Sequence, residues 1–185
     1  MSVNVDSINT KGAVVTIGGS VLNNPDADGY YWGTISGTDI GCTTGGVKVN
    51  YSYEKQDIYC DQSLAAVKSS IISESAEIQI SMLETDVEKL QYALQLCEYL
   101  ENVGVERKIG VGGLTAITYV PLKLEVADDE TGLITTWTFF RVLSNGIEIN
   151  FERDNPTQAN VTFTAYADTT HAEGQQLFSI REALA

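Results

Sequence analysis

The residues of this chain that could do chemistry are few and poorly spaced for it. The single histidine, His171, lies in a polar segment with no nucleophile signature beside it and reads as a solvated loop histidine. Cys60 is followed by Asp61; an acidic neighbour raises a thiol pKa, so Cys60 reads as a buried or half-buried structural cysteine. "NPDADG", residues 24–29, sets Asn24, Asp26, Asp28 and Gly29 at positions 1, 3, 5 and 6 of a calcium loop, but Ile35 stands at position 12, where a bidentate Glu is needed. An Asx-rich surface turn is the plainer reading. "GVGGLT" at 110–115 lacks the third glycine of a dinucleotide fingerprint and leads into a strand, so it reads as a connector. Asp128, Asp129 and Glu130 read as a solvated hairpin tip. The expectation is a protein that is not an enzyme and holds no cofactor or metal.

The elements that would position any site are mostly strands. "AVVTI" at 13–17 reads as a first short strand. Val47, Val49, Tyr51 and Tyr53 alternate with Lys48, Asn50, Ser52 and Glu54, and Ile78, Ile80 and Met82 alternate with Glu77, Gln79 and Ser81. Two strands, 114–126 and 134–143, flank the turn-rich "ADDETG", with Pro121 marking an edge or a bend. Asn145-Gly146 reads as a hairpin turn, followed by Ile147, Ile149 and Phe151 alternating with Glu148, Asn150 and Glu152. Val161, Phe163 and Ala165 alternate with Thr162, Thr164 and Tyr166 after the turn at "DNPT".

The spacing of Val87, Leu90, Ala93, Leu94, Cys97 and Leu100 predicts a helix over about 85–102, opened by a Thr85/Glu88 capping box and stopped at Gly104. Its Leu90, Leu94 and Cys97 stripe should be core. Residues 18–46 hold half of the sixteen glycines and little periodicity, and so read as a long loop. The fold class expected is mainly β: an antiparallel sandwich with barrel-forming sheets, one flanking helix, an N-terminal arm and the 18–46 loop, in a single domain over 1–185.

Charge narrows the partners. A net charge of −14 argues against a surface that grips phosphates. No apolar run approaches the length of a membrane span. "MSVNVDSINTKG" has neither the charged nor the apolar region of a secretory signal, and three cysteines without CxxC spacing read as reduced thiols made in a cytoplasm. Several strands keep one persistently polar face, which suits a half-buried sheet and equally a wall around water.

Residues 45–94 resemble the signature block of the major tail tube proteins of tailed bacteriophages. The residues that carry the likeness are Gly45, Gly46 and Val47, then Asp57, Ile58, Asp61 and Gln62, then Val67 and Lys68, and last Glu84, Thr85 and Leu90. "IEINFERDNPTQANVTFTAYAD" at 147–168 is similar to that family's closing hairpin, and Leu177, Phe178 and Ile180 to its ending.

The resemblance implies a β-sandwich flanked by a helix, hexameric rings that stack into a tube, and inner strands closing into a continuous β-barrel. It also implies a virion tail location after assembly in a bacterial host cytoplasm. The implied partners are further copies of the chain and tape-measure, tail terminator and baseplate or tip proteins. DNA would pass through without specific binding, and no membrane is involved.

On that footing Glu77, Gln79, Ser81, Glu148, Asn150 and Glu152 are expected to face the lumen. The loop carrying Asp26, Asp28, Tyr30 and Trp32 is expected to contact the adjacent ring. Two alternatives remain open: the tube of a type VI-like or tailocin injection machine, and a stand-alone calcium-dependent β-sandwich binding module using Asp26 and Asp28.

Overall fold

The computed structural model describes residues 12–19, 21–22, 34–61, 65–113, 116–128, 131–151, 153 and 156–182. The elements in chain order are β1 (Val14–Ile17), β2 (Val21–Leu22), β3 (Thr34–Ile35), β4 (Thr38–Asp39), β5 (Thr43–Ile58), β6 (Lys68–Met82), α1 (Val87–Ala93), β7 (Cys97–Asn102), β8 (Glu106–Val111), β9 (Val120–Ala127), β10 (Ile134–Asn150), β11 (Gln158–Ala165) and β12 (Phe178–Glu182). The chain is mainly β; among the described residues every strand pairing is antiparallel and no sheet closes into a barrel.

One sheet runs β4-β1-β9-β10-β11-β6-β5. Its centre is β10, a 17-residue strand that serves two neighbourhoods. The first half of β10 lies between β9 and β12, and its second half pairs with β11. One core joins the two neighbourhoods. Val15, Ile17, Leu122, Leu124, Phe139 and Val142 come from one side, and Ile78, Ile80, Met82, Val161 and Phe163 from the other. Strict alternation makes this possible: on β11 Ala159, Val161, Phe163 and Ala165 are buried while their neighbours are half-exposed.

The helix is shorter than the spacing of its apolar residues predicts. It ends at Ala93, with Leu94 as C-cap, and residues 97–102 form β7, paired with β8 in a hairpin turned at Gly104. The stretch fits both periods, since Cys97 and Tyr99 also alternate with Glu98 and Leu100. Pairing Cys97 with Val111 and Tyr99 with Ile109 gives the strand partners that an isolated helical turn lacks. The N-cap is Asp86, without a side-chain capping bond, so the Thr85/Glu88 box is not formed.

Asn145-Gly146 is not a hairpin turn either. It is a bulge inside β10 between Ser144 and Ile147, with Gly146 at φ 114°, and β10 continues to Asn150. Pro121 sits at the bend where the β9–β10 register shifts, and its carbonyl accepts a hydrogen bond from the Gly18 N–H at 2.9 Å. The expected 18–46 loop carries β2, β3, β4 and the start of β5, with Ile35 and Ile40 buried.

Candidate functional site

Two features of the β5–β6 ribbon stand out from the packed body. The first is a continuous polar face. Where β10, β11, β6 and β5 run side by side, the strand register sets Glu148 beside Asn160 and Asn160 beside Ser81. The next rungs are Thr162, Gln79 and Lys48, then Thr164, Glu77 and Asn50. Hydroxyls and amides knit the face together. Ser81 Oγ donates to Asn160 Oδ1 at 2.7 Å, Asn145 Nδ2 donates to Thr164 Oγ1 at 2.9 Å, and the Ser52 and Ser75 hydroxyls share a bond of 2.8 Å. Of the residues expected on the lumen, Glu77 and Ser81 are half-buried and Gln79, Glu148 and Asn150 are exposed, all five on this one face. Glu152 and the inter-ring candidates Asp26, Asp28, Tyr30 and Trp32 lie outside the described residues.

This four-stranded segment has two open edges. Among the described residues β5 pairs only with β6, and Leu143–Asn150 of β10 pair only with β11. Val142 shows which edge of β10 this is: it pairs with Val120 of β9 on one side and Ala165 of β11 on the other. Just beyond it the end of α1 covers the edge, where the Ser144 N–H donates to Gln95 Oε1 at 2.8 Å, and from Ile147 to Asn150 no described strand lies on it. Open edges of this length template pairing with another chain.

The second feature is an arm. Beyond Tyr51 and Ser75 the ribbon leaves the body and nearly every residue of Tyr51–Ile58 and Lys68–Ser75 is exposed. Ile71 is 60% exposed and Ile72 62%, with Tyr53 and Ile58 exposed as well. Ile72 is the extra residue of a bulge opposite Glu54 and Lys55. Polar pairs cross the ribbon: Tyr51 Oη donates to Glu74 Oε1 at 3.1 Å, Ser73 Oγ donates to Glu54 Oε2 at 3.2 Å, and Ser69 bonds Asp57. Partial burial, then the hydrogen bond to Glu74, holds the Tyr51 phenol above its ordinary range. Tyr59, Cys60 and Asp61 form the arm's tip. Cys60 is exposed there, not buried, because the arm has no second layer to cover it.

A clamp fixes the start of β5. Glu84 Oε1 accepts the Cys42 N–H at 2.9 Å and its other oxygen pairs with Lys89 of α1. The Lys89 bond, then the Cys42 amide, holds the Glu84 carboxyl below its usual value. A side chain at Gly41, whose φ is 83°, would run into that carboxylate at 2.4 Å. Behind the clamp, Leu90 packs on the core and Ala93 is fully buried, while Leu94 is half-buried at the C-cap and Cys97 half-buried in β7. Burial raises the Cys97 thiol pKa.

His171 also departs from its sequence reading. It is 5% exposed and stacks on Phe140 with ring centroids 3.8 Å apart, in a segment tied to the sheet by the Tyr166 N–H to the Arg141 carbonyl at 2.8 Å. Arg141 lies over the Tyr119 ring at 4.2 Å. The packing anchors the 166–177 connection, and the flanking Thr and Ala residues give no sign of it in the sequence. Among the described residues no cluster of three or more metal-ligating side chains occurs.

No protein family and no curated protein matches the sequence. One solved structure similar along the chain is the virion of a native gene transfer agent particle. The match has 11% identity and a TM-score of 0.47, covering 95% of this chain and 99% of that one. That degree of likeness is too low to carry function from one protein to the other.

Proposed function

We propose that this chain is the structural, non-enzymatic subunit of a phage-type tail tube, in which hexameric rings stack around a channel that conducts DNA. The observation that carries the proposal is the segment β10–β11–β6–β5, with one face in the core, one polar acid-bearing face, and an open edge on each side. Adjacent strands in it are antiparallel, so β10 and β5 run in opposite directions. Rotation about a ring axis keeps every strand's sense. The β5 edge of one copy therefore meets the β10 edge of the next in antiparallel fashion, and the ring closes with no parallel join.

The dimensions suit the role. Four strands from each of six copies, spaced about 4.8 Å apart and tilted about 40°, give a barrel about 48 Å across between backbones. After side chains this still admits a DNA duplex. The polar face sets Glu77 and Glu148 against the single Lys48, and this net negative wall would repel phosphates, letting the duplex slide instead of sticking. The exposed Ile71, Ile72 and Tyr53 of the arm would find their cover on neighbouring copies. Tape-measure, terminator and baseplate or tip proteins would be the further partners, in a virion tail assembled in a bacterial cytoplasm.

Negative-stain imaging of the concentrated protein tests this reading. Six-membered rings or hollow tubes are expected. A strictly monomeric species by light scattering, with no rings after seeding, would overturn it.

A further inference from the structure

The open edges of the four-stranded segment carry opposite charges on the same face. Where all four strands run side by side, Lys48 is the only Lys or Arg on the polar face, and it sits on the outer strand β5. Glu148 sits on the opposite outer strand, the open half of β10. Both are exposed, and neither makes an ion pair among the described residues.

Two constraints limit how these edges can meet. Side chains alternate between faces, so even-numbered residues of β5 must lie beside even-numbered residues of β10 for the polar faces to merge. That parity also aligns Val47 and Val49 with Ile147 and Ile149, all four half-buried against the core and left open along one flank. Among the registers that satisfy parity, those joining Glu148 to Glu54 set like charges together. Those placing Lys48 opposite Glu148, or one diagonal step away, set opposite charges within side-chain reach.

We propose that Lys48 of one copy pairs with Glu148 of the next, and that this pair selects the register in which neighbouring copies join. The inference rests on the barrel reading above and adds the chemistry that fixes the seam. A free edge of alternating residues tolerates a two-residue slip without exposing its apolar row, so parity alone does not specify one join. One cation and one anion, repeated at each seam, remove that degeneracy. They leave Glu77 as the unpaired acid of the four-stranded face.

The test uses the full chain assembled from equal parts of ¹⁴N and ¹⁵N protein and treated with a carbodiimide, which joins an amine to a carboxylate in direct contact. Mass spectrometry should find a Lys48–Glu148 link of mixed isotope, hence between copies. Lys48→Glu and Glu148→Lys should each slow polymer growth by roughly tenfold, because each sets like charges across every seam. The double variant should recover the wild-type rate, with circular dichroism unchanged in all three. Tubes that form while Lys48 links only to other acids, or a double variant no faster than the singles, would overturn the seam and leave the barrel standing. A wild-type protein that forms no rings would overturn both.

Discussion

The two halves of the β5–β6 ribbon share a pairing scheme and differ in nearly everything else. In the body, Ala76, Ile78, Ile80 and Met82 are buried on one face while Gln79 is exposed and Glu77 and Ser81 are half-buried on the other. In the arm the same ladder continues from Glu54 to Ile58 against Lys68 to Ser73, yet both faces meet solvent. Ile78 is 0% exposed, and Ile72, six residues earlier, is 62% exposed. Isolated two-stranded ribbons are marginal in water. The arm is held by its continuity with the sheet, by polar cross-strand pairs and, at its base, by the Tyr51 ring against Phe178; beyond Tyr51 none of its residues belongs to the core cluster. In the tube proposed above, these exposed isoleucines are the residues that neighbouring copies would cover.

The largest expected effects separate these halves. Phe139→Ala, which empties a fully buried position between β9 and β12, should cost the subunit about 3–5 kcal/mol, read by urea unfolding. The double substitution Ile71→Ser, Ile72→Ser should shift subunit stability by less than about 0.5 kcal/mol, as exposed positions do, while abolishing tube growth in micrographs. A large loss of stability in the arm variant would mean the arm folds back onto its own body. Normal tubes from the arm variant would mean its isoleucines serve no contact between copies.

The comparison also shows which parts of the molecule are legible from sequence. Alternation places the body of β5 and β6, and β11, because each of these strands has one face on a core and one in water; β1, where Thr16 is buried between Val15 and Ile17, is a plain apolar run. The same rule misreads 94–102, where helical and strand periods coincide and the outcome depends on Val111 and Ile109 as partners. Asn145-Gly146 has the composition of a hairpin turn, and only the continuation of pairing from Ile147 to Asn150 makes it a bulge. The burial of His171 depends on Phe140, thirty-one residues away, which no local pattern encodes. Of the candidate site, the polar faces are visible residue by residue. The open edges are not, since an edge is a property of strand order.

A middle-sized effect probes where the ribbon is anchored. Gly41→Ala adds a side chain at φ 83° directly against the Glu84 carboxylate. Strain of this kind costs about 1–3 kcal/mol, and here it should fall on the start of β5, the outer strand of the four-stranded segment. Thermal melts should show the loss, and hydrogen exchange should place it at residues 40–47. Exchange that rises uniformly through the core instead would mean the clamp is not a separate element.

The smallest expected effect is a pH dependence at the same clamp. Glu84 is held below its ordinary value of 4.5, first by Lys89 and then by the Cys42 amide. A carboxyl with a lowered folded-state pKa adds stability that is fully present above the unfolded value and is lost as pH falls through the folded one. The contribution should therefore be constant near neutrality and fade below about pH 4.5. Because Glu84 is partly exposed the global change will be slight, and the local readout is the better one. Protection of the Cys42 amide, corrected for intrinsic exchange, should drop on acidification in the wild type and be low and flat in Glu84→Gln. Protection that stays constant through this range would show that the carboxylate does not hold the β5 start. The difference between a clamped body and a free arm would then have to come from the apolar core alone.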